Sequence, residues 1–103
     1  MRDLLILPLL LLAGCASPAP VFMGATRHDV TLDGIRFAVF HKENEAEVIR
    51  LGYLARKQRV PVPELMMRAA AQATGCRAIP NSAVTRIPGD TGEAWILLDC
   101  RRP

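Results

Sequence analysis

Aromatic residues are scarce in this chain of 103 residues: one Trp, one Tyr and three Phe make up 5% of it. So few rings cannot build the stacked platforms on which single-stranded nucleic acids are held. Histidine occurs twice, at His28 and His41, which leaves little nitrogen for a metal centre. The sequence contains no Gly-rich phosphate loop, no HExxH helix, no nucleophile elbow and no paired-carboxylate motif. His28-Asp29 is the one adjacent His-carboxylate pair, and neighbours on a strand point to opposite faces, so the two would not orient one another for catalysis. No catalytic residue and no cofactor are therefore expected. Excess charge is lacking as well: 13 Lys and Arg against 10 Asp and Glu leave +3. With 22% charged and 50% hydrophobic residues, an acidic disordered chain is excluded. The length suits one small domain and is too short for two with separate cores.

No apolar run is long enough for a lasting transmembrane helix, which needs roughly 18 to 20 residues. The longest, residues 4–12, is interrupted only by Pro8 and would span about 13 Å as a helix. It follows Arg2, whose charge Asp3 offsets, and it precedes the small residues Ala13 and Gly14, which is the order of a secretory signal. The tetrapeptide Leu12-Ala13-Gly14-Cys15 resembles the lipobox of bacterial lipoproteins. The resemblance implies cleavage before Cys15, a diacylglycerol thioether on its sulfur, N-acylation of the new terminus, and attachment to a membrane through that lipid. Three acyl chains, at about 0.8 kcal/mol per buried methylene, make dissociation negligible. Ala16 stands where the Gram-negative sorting rule reads Asp as inner-membrane retention. The implied location is the periplasmic face of the outer membrane, with the inner membrane as the other assignment. Residues 1–14 read as a signal peptide and residues 15–21 as the lipidated Cys with a Pro-rich spacer that lifts the domain off the bilayer. Residues 22–103 read as a small α+β domain.

With Cys15 assigned to lipid, Cys76 and Cys100 remain, an even number in an exported chain, and a disulfide is expected. Closing 25 residues would remove loop entropy worth roughly 3 to 3.5 kcal/mol. Their wide separation, with no CxxC, argues against a metal or redox site.

In the domain, Val30 and Leu32, then Asp33-Gly34, then Ile35, Phe37 and Val39 predict a hairpin with a type I′ turn. Residues 46–55 admit two readings. As a strand, Val48, Arg50, Gly52 and Leu54 share one face and Ile49, Leu51 and Tyr53 the other. As a helix, Val48, Leu51 and Ala55 form a stripe. Gly52 and the β-branched pair Val48-Ile49 favour the strand. A helix is predicted from Pro63, suited to its first turn, to Gly75, suited to the left-handed stop, with Leu65, Met66, Ala69, Ala70 and Ala73 as its packing stripe. Residues 83–87 and 94–99, joined through Pro88-Gly89-Asp90-Thr91-Gly92, predict a second hairpin. The expected fold is α+β: a small antiparallel sheet of two hairpins with one helix packed on it, after a cleaved signal peptide.

Arg50, Arg56, Lys57 and Arg59 fall within ten positions, with Arg68 and Arg77 downstream. Such a cluster is either an anion-binding edge or a solvated loop before a helix. Nucleic acid is not an expected partner of an exported protein, so anionic lipid, lipopolysaccharide or an acidic partner would be the ligand. Two functions follow: a non-catalytic, lipid-anchored interaction module that presents its surface to an envelope protein or polymer, or a membrane-surface protein that binds anionic lipid or lipopolysaccharide through the basic 50–59 segment. Head-group binding would weaken with salt; an apolar protein interface would not.

Overall fold

A computed structural model describes residues 18–101. The signal segment, Cys15 and the spacer as far as Ser17 lie outside the described residues, and so do the last two residues. Five antiparallel strands form one curled sheet with the order β1-β2-β3-β5-β4. They are β1 (Thr26–Leu32), β2 (Ile35–Lys42), β3 (Glu45–Leu51), β4 (Arg77–Ala78) and β5 (Glu93–Asp99). Among the described residues a single helix, α1 (Val62–Thr74), lies across the sheet, and 3-10 turns form at Pro20–Phe22 and Arg56–Arg59.

The first hairpin forms as its sequence dictates. Leu32 pairs with Ile35, and both loop residues take positive φ, 52° at Asp33 and 79° at Gly34, the requirement of a type I′ turn. Of the two readings of residues 46–55, the strand is the one adopted: β3 pairs along β2 from Lys42↔Glu45 to Arg36↔Leu51. Its faces alternate as predicted, with Val48 in the helix-side core and Ile49 and Leu51 on the other side. Helix α1 takes Pro63 in its first turn and stops at Gly75, whose φ of 74° leaves its N–H to donate to Ala71 O at 2.9 Å. That left-handed angle suits Gly, which has no Cβ to clash. Leu65, Met66, Ala69 and Ala70 are buried, and the two alanines are fully so, which lets the helix backbone approach the sheet closely.

The second hairpin departs from expectation. Residues 83–87 form no strand. Only Val84 reaches β5, as a single bridge to Trp95 with both N–H···O bonds at 2.8 Å. Arg77 and Ala78 take the far end of that edge, opposite Asp99 and Leu98, and β3 occupies the other edge of β5. The reason is steric and local. Thr85 folds its hydroxyl onto Ile87 O at 2.8 Å and Pro88 follows, so the chain turns away from β5 before a ladder can extend.

The boundary at residue 22 also shifts. Ala19 is buried, its N–H donates to the Glu47 carboxylate at 2.8 Å, and Phe22 is 2% exposed. The final residues of the expected spacer are therefore a strap docked across the sheet, and the fold begins at Ala19. Both faces of the sheet are covered as a result. Helix α1 covers one over Val30, Phe37, Val39, Val48 and Ile96, and the strap covers part of the other over Ala38, Phe40 and Trp95.

Candidate functional site

Cys76 follows the helix stop and Cys100 follows β5, and the Arg77↔Asp99 pairing sets them opposite each other. Their Cα atoms are 4.5 Å apart and the sulfurs are joined in a disulfide. This separation is at the short end of the range that cystines span. The staple ties the C-terminal end of α1 to the last strand, as expected from the cysteine count. His41, from β2, completes a cluster with the two sulfurs in which all ligand atoms lie within 4.8 Å of one another. His41 Nε2 is 2.8 Å from Glu43 O and 3.9 Å from Cys100 Sγ. A carbonyl only accepts, so Nε2 carries the proton and donates to Glu43. With both sulfurs spent on each other and this nitrogen protonated, the trio is a cystine with an imidazole beside it, and it offers no thiolate to a metal.

The basic residues separate into two environments. Arg56, Lys57 and Arg59 fall on the 3-10 turn before α1, a turn fixed by Gln58, whose side chain accepts the Ala55 N–H at 2.9 Å. Arg56 and Arg59 line an open groove of about 370 Å³ with Val60, Pro63, Gly89 and Thr91; Lys57 is exposed outside that lining. Arg50 is not part of an exposed cluster. It is half-buried at the end of β3, its Nη1 donates to Thr91 Oγ1 at 2.8 Å, and its Nε is buried without a partner among the described residues. Its backbone N–H also donates to Gly92 O at 2.9 Å, so Arg50 holds the 88–92 loop that forms one wall of the groove. Arg77 is drawn to Asp99 at 3.5 Å at the opposite end of α1.

Asp99 is held by Arg101 at 2.8 Å as well as by Arg77, and the Arg101 guanidinium keeps its carboxyl well below the usual carboxylate range. His28 and Asp29 do not form a pair, since Asp29 turns to Arg27 at 2.9 Å. Ser82 reaches across to β5: its hydroxyl accepts the Leu97 N–H at 3.1 Å and thereby prolongs the edge of β5.

The centre that sequence reasoning missed is Glu47. It is 1% exposed, the single buried charged residue among those described, and it sits in β3 opposite Trp95. One oxygen accepts Ala19 N–H at 2.8 Å and the other accepts Trp95 Nε1–H at 3.1 Å. Phe22 stands edge-on to Trp95 with centroids 5.6 Å apart. Glu93, two residues before Trp95, is pushed up from 4.5 to about 7 by burial first and then by the Glu47 carboxylate. Its Oε2 is buried and no donor reaches it among the described residues, which is the arrangement of an acid that keeps its own proton. The signal was present in the alternation: Glu47 shares a face with the apolar Ile49 and Leu51, where a lone carboxylate needs donors.

An open groove of about 200 Å³ lies beside this centre, lined by Phe22, Glu45, Ser82, Val84, Trp95, Ile96 and Leu97. No family model, curated protein or solved structure matches the chain. No helix among the described residues is long and apolar enough to cross a membrane.

Proposed function

We propose that the protein is a lipid-anchored module of the bacterial envelope, exported, cleaved before Cys15, and held at the periplasmic face of the outer membrane by acyl chains on that residue. It acts by presenting a surface to an envelope protein or polymer and performs no chemistry on a substrate. The observation that carries the reading is Leu12-Ala13-Gly14-Cys15 placed directly behind a single short apolar block. The fold supports it, since a disulfide belongs to an oxidising compartment and the packed domain starts at Ala19, just downstream of the lipidation site. Metabolic labelling with a palmitate analogue tests the reading. The wild type takes up the label and Cys15→Ser does not; a labelled Cys15→Ser, or a mature mass that still includes Met1, overturns it.

A second reading is favoured by one observation, the groove that Arg56 and Arg59 line beside the start of α1. Exposed cations there would draw the protein to anionic head groups or lipopolysaccharide with about 1 kcal/mol per charge, an attraction that salt screens over about 8 to 10 Å. Replacing Arg56, Lys57 and Arg59 together by Gln keeps the length and polarity of the side chains. Binding to anionic vesicles falls and the fold persists on this reading. If the triple variant binds as the parent does, the turn is a solvated one and the interaction module stands alone.

A further inference from the structure

We infer that the sheet face opposite α1, the face centred on Trp95, is the surface that the lipid anchor lays against the bilayer. The inference rests on the lipoprotein reading and adds an orientation and a contact surface to it. Its first support is the docked strap. Ala19 is fixed to Glu47 and Phe22 is packed on Trp95, so the chain meets the domain on this face. Three residues separate Cys15 from Ala19, and the four steps of chain between their Cα atoms span at most about 14 Å even when fully extended. A tether of that length holds its docking face close to the lipid and leaves α1, on the far side of the sheet, turned outward.

The second support is what this face exposes. Val21 and Met23, the chain neighbours of buried Phe22, are 51% and 64% exposed. Val84 and Leu97, on the lining of the groove beside Phe22 and Trp95, are 63% and 47% exposed. Scattered exposed apolar side chains are ordinary, but two on the groove that Phe22 lines, with two more flanking Phe22 in the chain next to a membrane tether, form a patch that calls for a cover. Glu45 also lines the groove, so an anionic head group is not what this surface selects. The matching chemistry is the boundary between head groups and acyl chains, where partly exposed Val, Met, Leu and Trp find both of their environments.

Trp95 is the only Trp of the chain and serves as the reporter. The full-length lipidated protein is reconstituted in zwitterionic vesicles whose lipids carry a nitroxide near the top of the acyl chain. Trp95 emission is expected to fall at least twofold relative to unlabelled vesicles. In Val84→Asp/Leu97→Asp, two exposed positions, quenching is expected to be lost while the protein stays in the membrane pellet with its disulfide intact. Full emission from pelleted, lipidated wild-type protein overturns the inference and leaves the anchor standing, and so does emission that instead changes with protein density, which would assign the patch to a second copy. Absence of lipid on Cys15 removes both together.

Discussion

Glu93 feels both its burial and the neighbouring Glu47 carboxylate, and its own carboxyl is raised to about 7. Glu47 accepts from the Ala19 and Trp95 N–H groups, and in the raise of Glu93 burial is the larger cause and the Glu47 carboxylate the next. The sign of the pH effect follows. Below 4.5 the folded and unfolded chains both hold the Glu93 proton, between 4.5 and about 7 only the folded chain does, and above that neither does. The stabilisation is thus present at low pH and lost as pH rises from 4.5 through 7. Urea midpoints of the mature protein should fall across that interval, and Glu93→Gln should level that part of the profile. An unchanged slope in the variant would remove Glu93 from the account. Asp99 acts in the opposite sense and in a separate window: its lowered value stabilises above 3.8 and is lost as pH falls below it. Little of this was legible in the sequence. Glu47 and Glu93 lie on strands whose pairing only the complete sheet defines, and the cation that governs Asp99, Arg101, lies beyond the last apolar residue of β5.

At the level of elements, local chemistry was legible and long-range pairing was not. Asp33-Gly34 and the Pro63 to Gly75 frame specify their turn and helix through backbone angles that few other residues accept. The pattern of residues 83–87 resembled a strand, yet the turn that Thr85 and Pro88 make leaves the single Val84 bridge to β5, and Arg77 and Ala78 take the far end of that edge. The prolines of residues 15–21 suggested a spacer, but Pro20, which lacks an N–H, suits equally the first position of the 3-10 turn that seats Phe22. In the basic segment, proximity in sequence grouped Arg50 with the turn, and the end of β3 separated them. The Cys76–Cys100 staple was legible once Cys15 was set aside for lipid, which leaves two cysteines in a chain read as exported. A loop of 25 residues gives about 3.5 kcal/mol in the chain-entropy model, so reduction should lower the melting temperature by roughly ten degrees or more. Calorimetry with and without reductant measures it. A shift of only a degree or two would mean that the β4–β5 pairing already imposes the constraint.

Taken together, the described residues form one sheet with two unequal covers, a full helix on one side and a four-residue strap on the other. Truncating Phe22 tests whether the smaller cover belongs to the cooperative unit. Phe22→Ala in a well-packed site costs about 3 to 5 kcal/mol, and a cover this small beside an open groove sets the expectation at the lower end, about 3. Trp95 emission should shift red, and Ala19 N–H should lose its protection from hydrogen exchange. A loss below about 1 kcal/mol would show that the strap opens independently of the helix-side core. The strap has a consequence in time as well. Phe22 and Trp95 stand roughly seventy positions apart, so their contact must wait for nearly the entire chain. A polypeptide threaded across a membrane from its N-terminus delivers the strap first and the seat for it last. On the lipoprotein reading there is therefore an interval in which the residues beside the processing site at residue 15 are still unpacked and open to the processing enzymes. Arrival of β5 ends that interval by drawing the strap down.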